Sequence, residues 1–211
     1  VWAGKDLHVE WKALPIYGDG EAQNDGRDQY FSHFRVRMVN PSTSAVITTL
    51  TTKQPSLVVP FEKLANVGLR AFDLRVALVD VNGGLSAEEV LSVSNPAPVL
   101  PSAPTAEGAL NSYVVTMSQP TAPDFEGFEV YTSLANGFTP GPSNRRWVGK
   151  ATKVTLPQLG PGAHYIRVIP VDSFGAGAAS VQLTATPVDI SARIDGIEDE
   201  LDNISDDSVL T

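Results

Sequence analysis

Over most of the chain, apolar and polar residues alternate with a period of two. These runs are short, rich in Val, Thr and aromatics, and bounded by Gly, Pro, Asn or Asp. On this pattern residues 7–11, 34–39, 45–51, 57–61, 72–79, 113–117, 128–131, 153–156 and 166–171 read as strands. Helical periodicity is nearly absent before residue 188. Many short strands separated by turn residues predict antiparallel sandwich architecture.

The pattern repeats once. Arg75-Val76-Ala77-Leu78-Val79-Asp80 reads against Arg167-Val168-Ile169-Pro170-Val171-Asp172, and each run is soon followed by glycine, at Gly83 and Gly175. Upstream, Phe34-Arg35-Val36 matches Phe128-Glu129-Val130, and Val9-Glu10-Trp11 matches Val115-Thr116-Met117. Matches in the same order, offset by about one small sandwich domain, define two copies of one unit. Between them, residues 95–104 hold four prolines. Proline has no amide donor, so this stretch is an extended, stiff linker and not a central strand. The expected units are therefore 1–97 and 98–187. Only six residues precede Leu7, so the first strand of the first unit is expected to be cut short. The chain starts at Val1 without an initiator Met, and the expectation is a piece of a longer protein.

From residue 188 to 211 the period changes. Ile190, Ile194, Ile197, Leu201 and Ile204 recur at alternating steps of four and three, which places them on one seam of a heptad repeat. This segment is expected to be a helix that begins a coiled coil. Ile at both kinds of core position favours trimers or tetramers. A helix this short is marginal alone in water and needs partners. The competing expectation is a lone amphipathic helix packed back on a sandwich.

Composition removes several function classes. The formal net charge is −9 and clustered cations are confined to Arg145-Arg146 with Lys150, which argues against a nucleic-acid partner. There is no cysteine, hence no disulfide framework and no thiolate metal site. No apolar stretch is long enough to span a membrane, and the N-terminus lacks the pattern of a signal peptide.

Candidate chemistry is sparse. His8, His33 and His164 show no metal-ligand spacing, and no phosphate loop or nucleophile elbow occurs. His8 precedes a strand core position, and His33 is expected to end a long polar loop. That loop carries Asp19, Glu21, Asp25, Arg27 and Asp28, flanked by Tyr17, Tyr30 and Phe31. Its carboxylates fail the EF-hand test, because counting from Asp19 puts Asn24 at the glycine position and Tyr30 at the bidentate position. It is kept as a candidate contact loop for a neighbouring protein, with anchorage of its aromatics to the sandwich as the alternative. Arg145-Arg146-Trp147 is expected to be an exposed loop. No catalytic residue, cofactor site or metal site is expected, and an enzyme is the least favoured class.

The second unit resembles a fibronectin type III domain over nearly its whole length. Val115-Thr116-Met117-Ser118-Gln119-Pro120 is similar to the family's Val-x-Trp-x-x-Pro strand, with Met at the Trp position; Trp11 keeps that position in the first unit. Gly127-Phe128-Glu129-Val130-Tyr131 and Leu159-Gly160-Pro161-Gly162 resemble two further family motifs. At the family's corner tyrosine, whose hydroxyl bonds back to the main chain, stand His164 and, in the first unit, Phe72. Histidine can partly replace that bond and phenylalanine cannot. The resemblance implies an all-β fold: two tandem fibronectin-III-like β-sandwiches followed by a short C-terminal helix.

The combination with Asp189-Ile190-Ser191-Ala192-Arg193-Ile194-Asp195 is similar to the tail-tip or central-fibre proteins of long-tailed bacteriophages, the host-specificity protein J family. That resemblance implies a non-enzymatic spacer of a homotrimeric virion protein. Its partners would be other tail-tip proteins and, through distal regions, a host surface receptor. The alternative is an extracellular spacer or binding module of a secreted bacterial glycoside hydrolase or adhesin.

Overall fold

The computed structural model describes residues 2–3, 5–12, 30–188 and 191–207. Of the candidate site residues, Tyr17, Asp19, Glu21, Asp25, Arg27, Asp28 and Ile190 lie outside the described residues. The chain divides into two compact units, Val1–Ala97 and Pro98–Thr211.

The first unit contains β1 (Trp2–Ala3), β2 (Asp6–Glu10), β3 (Phe31–Val39), β4 (Val46–Thr52), β5 (Ser56–Val59), α1 (Phe61–Val67), β6 (Ala71–Asp80) and β7 (Glu89–Ser94). They form a sheet in the order β1-β2-β5 and a second in the order β4-β3-β6-β7, with every pairing antiparallel. Alternation along β3 buries Phe34, Val36 and Met38, while Arg35 and Arg37 face outward. Leu7, Val9 and Val59 from one sheet and Leu74, Ala77 and Phe72 from the other are likewise buried.

The second unit contains β8 (Thr105–Ala109), β9 (Ser112–Thr116), β10 (Phe125–Ser133), a 3-10 turn (Pro142–Asn144), β11 (Arg145–Gly149), β12 (Lys153–Pro157), β13 (His164–Asp172), β14 (Gly175–Ala176), β15 (Leu183–Ala185) and α2 (Ser191–Asp207). One sheet runs β12-β9-β8. The other runs β11-β10-β13, with β14 and β15 both on the far side of β13. Tyr113, Val115 and Met117 meet Phe128, Val130, Ile166 and Val168 in one core between the sheets.

The repeat read from the sequence is a repeat of register. Phe34 pairs with Leu78 as Phe128 pairs with Pro170, and Val36 pairs with Val76 as Val130 pairs with Val168. Both ladders are interrupted at the same place, after Phe31 and after Phe125, and those residues pair with Asp80 and Asp172. A bulge re-aims the strand entering the sheet. Asp80 then closes the following turn, its Oδ1 accepting the amides of Asn82 (2.7 Å) and Gly84 (2.8 Å), and Asp172 accepts the amide of Phe174 (2.9 Å).

Some expectations need correction. Residue 61 does not end a strand: Phe61 opens α1, which runs between Pro60 and Gly68, the latter at φ +65°. Proline at the start and glycine past the end are the ordinary marks of a helix, but one buried residue, Leu64, gives too little periodicity to read. His33 lies inside β3 and not at the end of the loop, which therefore gives way to strand at Phe31. Arg145, Arg146 and Trp147 belong to the strand β11, paired with β10, and not to a loop.

Candidate functional site

The helix α2 carries four of the five seam residues within the described part, and all four are exposed: Ile194 by 47%, Ile197 by 53%, Leu201 by 61% and Ile204 by 70%. A stripe packed on its own sandwich would be buried, so the packed-back expectation fails for these residues. Asp195, Glu198, Asp199, Glu200 and Asp202 are exposed as well. In heptad terms Ile194 and Leu201 occupy a, and Ile197 and Ile204 occupy d. Asp195 and Asp202 then fall at b, Asp199 at f, Glu198 at e, and Arg193 and Glu200 at g.

Of the candidate contact loop, the described residues are Tyr30 and Phe31. Tyr30 is exposed by 53%, and its carbonyl accepts the Val81 amide (2.9 Å). Phe31 packs against Phe34, ring centroids 4.9 Å apart, and Phe34 meets Trp11 edge-on at 5.2 Å. Phe31 thus has the anchoring role, while Tyr30 offers its ring to solvent.

The histidines stand on separate strands. His8 is exposed on β2, and His33 on β3 bonds Ser32 Oγ through Nδ1 (3.0 Å). His164 is fully buried at the start of β13. The Leu159 amide can only donate, so Nε2 accepts from it (2.8 Å) and Nδ1–H donates to the Gly162 carbonyl (3.1 Å). One imidazole therefore closes the loop over residues 159–162 from both sides, where the family resemblance placed a single tyrosine bond. Its ring lies against Tyr113, centroids 5.1 Å apart, and the Tyr113 hydroxyl donates to Thr132 Oγ1 (3.0 Å). Burial pushes the Tyr113 hydroxyl above its ordinary range, against the opposing bond to Thr132. The first unit crosses the same span with α1, whose first amide, that of Phe61, donates to Asp6 Oδ1 (2.9 Å), and Phe72 stands there as a buried ring.

A charged cluster on the outer face of the first unit escaped the sequence reading. Arg37 and Arg35, alternate residues of β3, reach Glu88 at 2.5 and 3.2 Å. The bond from Arg37 is the largest cause holding the Glu88 carboxyl below the usual carboxylate range, with Arg35 adding to it and burial opposing it. The spacing of Arg35 and Arg37 was visible, but not that the turn before β7 brings Glu88 over them. In the second unit Glu129 accepts from Arg145 (2.7 Å) and from the Tyr131 hydroxyl. Burial first, and Glu129 second, push that hydroxyl up. Among the described residues no group of three or more His, Cys, Asp or Glu is placed to hold a metal, and no helix is long and apolar enough to cross a membrane.

No known family model matches the chain, and no curated protein matches it. Solved structures that match include fibronectin type III domains. A Fn3-like protein from Clostridium thermocellum is 21% identical over 44% of this chain and 96% of its own, with a TM-score of 0.35. The FN1–FN3 domains of chicken CNTN1 are 13% identical over 88% of this chain and 63% of theirs, with a TM-score of 0.38. A human fibronectin type III domain is 22% identical over 41% of this chain and 71% of its own, with a TM-score of 0.35. The assignment of two sandwiches rests on the sheet orders and registers described above.

Proposed function

We infer that the chain is a non-catalytic spacer whose two sandwiches supply length and whose helix α2 joins three copies into one fibre. The observation that carries this reading is the seam of Ile194, Ile197, Leu201 and Ile204 left open to solvent. Burying the exposed half of such side chains contributes about 1 kcal/mol each. Homotypic pairing is supported by the flanking charges. In a parallel coil a g residue faces the e position that follows on its neighbour, which sets Arg193 against Glu198 and Glu200 against Ser205. Asp195, Asp199 and Asp202 fall at b and f, away from the contact. Leu and Ile at a with Ile at d favour three or four strands over two.

The specific setting proposed is the tail tip or central fibre of a bacteriophage, with the chain located in the virion and linked to other tail-tip proteins. It rests on the combination of tandem sandwiches, a linker with four prolines and this helix. Light scattering on the chain over rising concentration tests the association. Three-chain mass is expected at high concentration, with single-chain mass for Ile197→Asp. A mass that stays at one chain for both, with α2 helicity unchanged, removes the trimer and leaves a monomeric spacer or binding module of a secreted bacterial enzyme or adhesin.

A further inference from the structure

Asparagine followed by glycine occurs at Asn82-Gly83 and at Asn136-Gly137. Glycine has no side chain to shield its amide nitrogen, so that nitrogen can approach the carboxamide of the asparagine before it. Both pairs sit in exposed turns, with glycine at left-handed φ: +86° at Gly83 and +75° at Gly137. Turns are the ordinary place of this dipeptide. By local sequence and backbone the two pairs are alike.

Long-range contacts separate them. Gln182, just ahead of β15, reaches the second pair with both ends of its side-chain amide. Its Nε2 donates to Asn136 Oδ1 (2.6 Å), and its Oε1 accepts the Gly137 amide (2.9 Å). The Gly137 amide can only donate, which fixes this orientation of the Gln182 amide. One side chain therefore holds both the carboxamide and the nitrogen that could attack it. At the first pair only the nitrogen is held, by the bond from the Gly83 amide to the Asp80 carbonyl (3.1 Å). The Asn82 carboxamide is exposed and makes no hydrogen bond among the described residues.

We propose that Asn82 is a site of spontaneous deamidation and that Gln182 protects Asn136 from the same reaction. The Gly83 nitrogen attacks Cγ of Asn82. The N–Cγ bond forms, the Cγ–Nδ2 bond breaks, and the proton of the attacking nitrogen leaves with the side-chain amide as ammonia. The cyclic imide then takes up one water. Opening at Cγ gives aspartate, and opening at the main-chain carbonyl gives isoaspartate, which adds a carbon to the main chain. The turn cannot absorb that carbon unchanged. Asp80 Oδ1 accepts the amides of Asn82 (2.7 Å) and Gly84 (2.8 Å), and the Asp80 amide donates to the Gly84 carbonyl (3.0 Å). A longer main chain between residues 82 and 84 cannot keep all of these bonds, so the modified turn opens where the chain passes from β6 to β7. The reaction is independent of α2 and of trimer formation.

The test is ageing of the full chain in mildly alkaline buffer, followed by peptide mapping with mass spectrometry and isoaspartate labelling. In the parent, Asn82 is expected to convert while Asn136 stays intact. In Gln182→Met, which keeps the length of the side chain and removes both bonds, conversion at Asn136 should rise about tenfold, the scale set by releasing one net hydrogen bond. Conversion at Asn82 should not change in that variant. Synthetic peptides of residues 78–88 and 132–142 should convert at similar rates, because they lack the fold. An intact Asn82, equal conversion at the two sites in the parent, or no rise at Asn136 in Gln182→Met overturns the proposal. So do peptides that reproduce the difference between the sites without the fold.

Discussion

Replacing His164 by Phe isolates the hydrogen bonds of the corner from its packing. The two rings are similar in size, so contact with Tyr113 and burial are kept, and Phe already occupies the matching position at Phe72. Two bonds are lost, from the Leu159 amide at 2.8 Å and to the Gly162 carbonyl at 3.1 Å. Gly162 is exposed, so water replaces the bond to its carbonyl at little cost, whereas the Leu159 bond is partly buried. Together they give an expected loss of about 1–2 kcal/mol in the second unit. His164→Ala removes the ring as well and should cost about 2 kcal/mol more through the cavity it leaves. Urea unfolding, followed by hydrogen exchange of peptides from β13 and β6, separates the two units. The midpoint for β13 should fall by about 1 M in His164→Phe while that for β6 stays in place. A β13 midpoint within experimental error of the parent would refute the argument that imidazole holds this corner by hydrogen bonding.

Further predictions concern other parts of the fold. Glu88 has a lowered folded pKa, so its pairing stabilises the first unit above the unfolded carboxylate value and is lost as pH falls through the folded one. Acid titration of the β6 opening energy should therefore show a decline below about pH 4 that Glu88→Gln reduces; the effect should stay below about 1 kcal/mol, because the pair is partly solvated. Gly108 on β8 lies so close to the Thr186 carbonyl that any Cβ would collide with backbone. Gly108→Ala should thus destabilise the second unit by about 2 kcal/mol or more, read as a fall in its thermal midpoint; an unchanged midpoint would mean that the segment after β15 is free to move away.

Local pattern carried far in this protein. The period-two alternation of Phe34, Val36 and Met38 is enough to say which face of β3 is buried, because strand side chains alternate whatever the partner strand is. Matching strings such as residues 75–80 and 167–172 revealed the duplication, since equal positions in equal sheets face equal demands. The seam of α2 was likewise legible from spacing, because a helix fixes which residues share a face. The short helix α1 was not legible, as one buried leucine creates no period, and neither was the strand β11, where Arg145 and Arg146 lie on a sheet edge and answer to solvent more than to a core.

Spacing along the chain thus determined the strands, the repeat and the helical stripe, all of which depend on neighbours in sequence. Tertiary structure alone decided which groups meet across it: Glu88 over Arg35 and Arg37, and the His164 ring between Leu159 and Gly162. Those contacts arise from sheet register and loop closure, which no period in the sequence encodes.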